Sequence, residues 1–159
     1  MAIRNSAISL RLSDADRAKL RVLADRLAVR EADVMRYAID IVMTRLGPLL
    51  DPAVAGPQLL PVFVESGTDL MRFFSIDSSQ LDGIINSGVD DPDERVELRD
   101  IALLASSSRD EPVATVQLRA LFGASDGNEE GFSRLKRRFK DYLYHKYLFR
   151  PTERKAASA

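Results

Sequence analysis

Cysteine is absent from the 159-residue chain. Its absence excludes disulfides, thiolate metal sites and cysteine nucleophiles, and it fits a reducing cytoplasm. There is one histidine, His145. A single imidazole cannot build a two-histidine metal site, and no Gly-x-Ser-x-Gly elbow supplies it with a nucleophile. Neither nucleotide cradle, Gly-x-Gly-x-x-Gly nor the lysine-bearing P-loop, is present; Gly123, Gly127 and Gly131 recur at intervals of four but in a polar stretch. No apolar run approaches the roughly 20 residues of a membrane span, and Met1–Ser6 does not read as the start of a signal peptide. Repeats of 20–50 residues are also missing. The acidic run Asp90-Asp91-Pro92-Asp93-Glu94 lacks the alternating carboxylates and glycine of a calcium loop, and reads as a helix start. No catalytic residue, metal or cofactor is therefore expected, and no membrane partner.

What is present is a balanced composition, 45% hydrophobic and 30% charged, typical of a globular chain. The formal net charge of −1 conceals a strong asymmetry. Residues 1–50 hold nine basic and six acidic side chains, residues 51–130 five and sixteen, and residues 131–159 nine and two. Local potential, not total charge, attracts phosphate, so two basic ends around an acidic middle leave a nucleic-acid partner open.

Gly47-Pro48, Asp51-Pro52, Gly56-Pro57 and Pro61 punctuate the chain. They divide it into an N-terminal domain at 1–47, a linker at 48–61, a mainly helical domain at 62–150 and a frayed tail at 151–159. In the first domain, Ala7-Ile8-Ser9-Leu10-Arg11-Leu12-Ser13 alternates with the period of a half-buried strand. Ser13 and Asp16 then form an acidic variant of a capping box ahead of a helix of about 14 residues carrying Leu20, Leu23, Ala24 and Leu27. After a turn near Ala28-Val29-Arg30, a second helix carries Val34, Met35, Ala38, Ile39, Val42 and Leu46, stopped by Gly47-Pro48.

One strand and two helices cannot bury a sufficient core in roughly 45 residues. A twofold dimer would complete it, with Ile8, Leu10, Leu12, Leu20, Leu23, Leu27, Val34, Ile39 and Val42 forming the shared core. Ala7, Ser9 and Arg11 would then face outward on a two-stranded ribbon of a size that fits the DNA major groove. On these residues, positions 5–47 resemble the ribbon–helix–helix (MetJ/Arc-type) DNA-binding family. The resemblance implies base reading by Ala7, Ser9 and Arg11. It also implies phosphate binding at the start of the second helix by Arg30, Glu31 and Ala32, with Arg4 and Asn5 beside them. The turn has Ala28 where the family has glycine, and Arg30 where it has a Ser or Thr cap. With one histidine, the metal-responsive nickel type is not expected.

In the second half, Leu59–Val64 reads as a short buried strand despite Pro61. Helical patterns follow at Ser78–Asn86, Asp93–Ala105, Ala114–Phe122 and Phe132–Phe149. The last carries six of the eleven aromatics, and Phe132, Leu135, Phe139, Tyr142 and Leu143 trace one face of it. Arg134, Lys136, Arg137, Arg138 and Lys140 cover much of the rest, a candidate second basic surface for DNA or for the acidic middle. "LRALFG" followed by "FSRLKRRF" is faintly similar to a winged-helix segment of plasmid replication initiators.

The fold expected from the sequence is thus mainly α: an intertwined ribbon–helix–helix dimer plus a mainly helical C-terminal domain. The expected function is site-specific binding of double-stranded DNA to regulate transcription, most simply by repression. A plasmid-maintenance, replication or relaxosome accessory protein is one alternative, and an antitoxin-like module that binds a protein partner through its C-terminal domain is another.

Overall fold

The computed structural model describes residues 9–123 and 129–149. The chain divides into two compact units, Met1–Arg45 and Leu46–Ala159.

The first unit is a pair of helices, α1 (Asp14–Leu27) and α2 (Glu31–Arg45), packed on each other. Ser13 caps α1: its hydroxyl accepts from the Asp16 N–H at 3.1 Å and donates to the Asp16 carboxylate at 2.6 Å. This local exchange satisfies an otherwise unpaired donor and fixes where the helix begins. At the other end Ala28 adopts a left-handed conformation (φ 53°, ψ 40°), and its N–H returns to the carbonyls of Ala24 and Asp25. The turn therefore has the geometry glycine favours, built with alanine. Leu20, Val34 and Met35 are half-buried, and Ala24 is the one fully buried residue of the two helices.

No strand occurs among the described residues. Ser9–Ser13 runs into α1 without a ladder, and Ala7 and Ile8 lie outside the described residues. A strand exists by hydrogen bonding to a neighbour, and none is provided here. This finding overturns both the ribbon and the ribbon–helix–helix resemblance built on it. The winged-helix likeness falls with them, because its wing is a β-hairpin.

All the regular secondary structure among the described residues of the second unit is helical. It comprises α3 (Leu60–Glu65), α4 (Gly67–Phe73), α5 (Ser78–Ile85), α6 (Leu98–Ser108), α7 (Pro112–Phe122) and α8 (Glu129–Leu143), with short 3-10 turns at Gly47–Leu50, Gly56–Leu59 and Pro92–Glu94. The segment Leu59–Val64, expected as a strand, is helical from Leu60. Pro61 sits in the first turn, where its missing N–H costs nothing and its fixed φ suits the helix. Gly56 is also constrained: its φ is +60°, and a Cβ there would lie 3.0 Å from the Glu94 carbonyl.

Helix α6 is the centre of this unit, packed against α4, α5 and α7, while α7 packs on α8. Ile101, Leu103, Leu104 and Ala105 join Leu60, Phe63, Met71, Leu81 and Ile85 in the core. From α8, Leu135, Phe139 and Leu143 are buried at helical spacing, and Phe132 and Tyr142 pack beside them. The chain then continues as a π-helical turn, Tyr144–Leu148, which brings Tyr147 into the core.

A side chain does the work of a missing strand pair between α5 and α6. Buried Asn86 donates to the Val96 carbonyl at 2.8 Å and accepts from the Val96 N–H at 2.9 Å. Asn86→Ala should lower the unfolding free energy by about 3 kcal/mol, because both Val96 groups would stay buried without partners. Urea denaturation followed by circular dichroism measures this, and a loss under about 1 kcal/mol would contradict it.

Candidate functional site

Two places concentrate chemistry: the first unit, and the basic helix α8. On the first unit, Arg11 and Ser9 are exposed on the segment preceding α1. Arg30 stands just ahead of α2 and is gripped by Asp33 through Nε at 2.8 Å and Nη2 at 3.0 Å; Arg36 reaches the same carboxylate at 2.6 Å. Glu31 meets Arg21 at 3.5 Å. The Asp33 and Val34 N–H groups donate back to the Arg30 carbonyl. The N–H groups of Glu31 and Ala32 belong to the helix end, where no intrahelical acceptor exists. Among the expected contact residues, Arg4, Asn5 and Ala7 lie outside the described residues.

The residues expected to form a shared core are largely uncovered in the single chain. Leu23 is 47% exposed, Leu27 57%, Ile39 54% and Val42 49%; Leu10, Leu12, Val22 and Met43 are exposed too. A shallow depression on α1 is lined by Ala18, Lys19, Val22, Leu23 and Arg26. Ile8 lies outside the described residues.

No protein-family model, curated protein or solved structure matches the chain.

The cations of α8 are mostly engaged within their own unit. Lys136 contacts Asp110 at 2.5 Å and Lys140 contacts Glu65 at 2.6 Å. Arg138 donates to the Phe122 carbonyl at 2.9 Å. Arg134 and Arg137 are exposed. Much of the basic helix therefore neutralises the acidic middle of the chain directly.

Beyond α8, one cluster lies far apart in sequence and was not legible there. Asp100 is 1% exposed. Its carboxylate accepts from the Tyr147 hydroxyl at 2.6 Å and from Lys146 Nζ at 2.8 Å, and Tyr142 lies at 3.3 Å. Lys146 also reaches Glu97 at 2.8 Å. Burial alone would lower the Lys146 pKa, but its bonds to Asp100, Glu97, Tyr142 and Tyr147 outweigh that and hold the ammonium charged well above the usual lysine range. Burial, then the neighbouring carboxylate, pushes the Tyr147 phenol up. All its members are partnered, so the cluster is a joint between α6 and the π-helical turn Tyr144–Leu148. Among the described residues, no group of three or more potential ligands is placed to hold a metal, and no helix is long and apolar enough to cross a membrane.

Three surface carboxylates set the acid response. Hydrogen bonds from Lys140 to Glu65, from Lys136 to Asp110 and from Arg30 to Asp33 hold their pKa values below the ordinary range. A lowered folded-state pKa adds stability above the unfolded value and loses it as pH falls through the folded value. The urea midpoint should thus be flat from neutrality to about pH 5 and fall below about pH 4. A midpoint that rises on acidification below pH 4 would contradict these pairs.

Proposed function

We propose that the chain is a non-catalytic, homodimeric protein of the cytoplasm that binds specific sites on double-stranded DNA and represses transcription. Its first unit serves as both the dimerising and the DNA-contacting module. One observation carries this reading: a two-helix unit in which, among the described residues, Ala24 alone is fully buried while leucine, isoleucine and valine side chains on both helices are exposed. A unit of about 45 residues with so little of its own core is marginal alone. A second copy is the occupant that offers the same apolar face in self-complementary form.

Excess positive charge on the same segment supports DNA as the ligand. Residues 1–50 hold nine basic side chains against six acidic ones. Arg11 precedes α1 unencumbered by any ion pair among the described residues, and a guanidinium can bond two acceptors on a guanine edge. The free N–H groups at the start of α2 suit a phosphate. Two such units on a twofold axis would present two copies of each group to two half-sites.

Arg11→Ala should cost about 1–3 kcal/mol against the specific site and much less on random DNA. Gel-shift titration on both duplexes checks this. Equal losses on the two would contradict base reading by Arg11.

A further inference from the structure

The second unit contains a cavity that DNA binding does not use. It measures about 280 Å³ and lies between α3, the end of α6 and α8. Phe63, Leu104, Phe139 and Leu143 form its apolar wall, and all four belong to the core. Its polar wall is Ser107, Ser108, Lys136, Arg137 and Lys140.

Every fixed charge lining the cavity is positive. Two of the cations are held in place: Lys136 by Asp110 and Lys140 by Glu65. Arg137 has no ion pair or hydrogen bond among the described residues, so one positive charge is left uncompensated. The serines differ in the same way. Ser107 donates its hydroxyl to the Leu104 carbonyl at 3.1 Å. Ser108 is 7% exposed, and its hydroxyl has no hydrogen-bond partner among the described residues and keeps access to solvent. A solvent-accessible hydroxyl without a protein partner on the wall of a cavity can bond a ligand oxygen in place of water. The carbonyls that end α6 do not oppose an anion openly: Ser106 O accepts from the Glu111 N–H at 3.1 Å, and Ser107 O from the Asp110 N–H at 3.4 Å.

We propose that this cavity binds a small organic oxyanion, a phosphate or carboxylate carried on an apolar or aromatic body. The anionic head meets the Ser108 hydroxyl and the Arg137 guanidinium, and the body lies on Phe63 and Phe139. Mixed apolar and cationic walls with a few placed polar groups are the usual make-up of a small-molecule site. A continuous polyanion fits less well, because the apolar wall of Phe63, Leu104, Phe139 and Leu143 offers a duplex backbone nothing to bond. The site lies wholly within the second unit and does not depend on the DNA reading.

Calorimetric titration of the full chain with phenyl phosphate, benzoate and inorganic phosphate tests the proposal. Phenyl phosphate or benzoate should bind saturably, about tenfold or more tighter than inorganic phosphate, because the body is buried with the head. Which of the two binds tighter distinguishes a phosphate from a carboxylate head. Arg137→Ala and Ser108→Ala should each weaken that binding about tenfold, the effect of losing one charge-assisted hydrogen bond. Ser108→Ala should leave the unliganded unfolding midpoint unchanged or raise it, which a serine with a structural hydrogen bond would not do. Three results would overturn the proposal: no preference for the organic anions over inorganic phosphate, binding indifferent to both substitutions, or displacement of the bound anion by an equimolar non-specific DNA duplex.

Discussion

Leu23→Asp should convert the protein from dimer to monomer at micromolar concentration and abolish its DNA binding. Leu23 is 47% exposed on α1 in the single chain, so the substitution removes little from the fold of one copy. In a twofold dimer the same residue is lost twice. Fully burying an exposed leucine is worth about 1.5–3 kcal/mol, and about half of Leu23 remains to be buried, so two copies account for roughly 1.5–3 kcal/mol before the larger cost of burying two carboxylates. That predicts a dimer dissociation constant raised at least about 100-fold. Ile39→Asp on α2 should behave alike, whereas Asp25→Ala, a charged neighbour on the same helix, should leave association intact. Sedimentation equilibrium distinguishes these outcomes. A Leu23→Asp protein with unchanged dimer affinity would mean that the apolar face is covered by something other than a second copy.

Asp100→Ala is expected to give the largest single loss of stability in the second unit, about 3–5 kcal/mol. The carboxylate is buried and takes short hydrogen bonds from Lys146 and Tyr147. Removing it leaves a partly buried ammonium and a phenol facing a void, while the desolvation already borne by Lys146 remains. Asp100→Asn should cost less, since an amide oxygen can still accept from Tyr147. Replacing the pair together, Asp100→Leu with Lys146→Met, should recover much of the loss, because a well-packed apolar pair does not need the charges. Urea denaturation of the four proteins measures the series. If Asp100→Ala costs no more than Asp100→Leu with Lys146→Met, the carboxylate is not what holds Lys146 and Tyr147 in place.

The elements legible in the sequence are those decided by neighbours along the chain. Ser13 and Asp16 cap α1 where the residue types predict, and Leu20, Leu23, Ala24 and Leu27 recur with helical spacing within its bounds. Gly47-Pro48 follows one residue after the end of α2. On α8, Leu135, Phe139 and Leu143 are buried as their spacing requires.

The structure departs from the sequence pattern where a short pattern has two physical readings. The alternation Ile8, Leu10, Leu12 has the period of a strand, but a strand also requires a bonded neighbour, which no local pattern supplies. Five hydrophobic residues around Pro61 at Leu59–Val64 fit a buried strand or a buried helix turn equally. Pro61 decides between them, because it removes a ladder donor from a strand and suits the first turn of a helix. The Asp100 cluster and the Asn86–Val96 pairing depend on tertiary approach. Asp100 meets residues more than 40 positions away, so nothing near it in sequence marks it as anything but another acidic residue of the middle segment. Charge was informative by segment: its basic end is visibly bonded to its acidic middle through Lys136, Lys140 and Lys146.

Selection of DNA fragments bound by the full chain from a random duplex pool, followed by sequencing, tests the central claim most directly. A homodimer reading bases through two copies of its first unit predicts enrichment of a two-fold symmetric motif, with half-sites about one helical turn apart or a multiple of it. Recovery of the input pool without any enriched motif would contradict it.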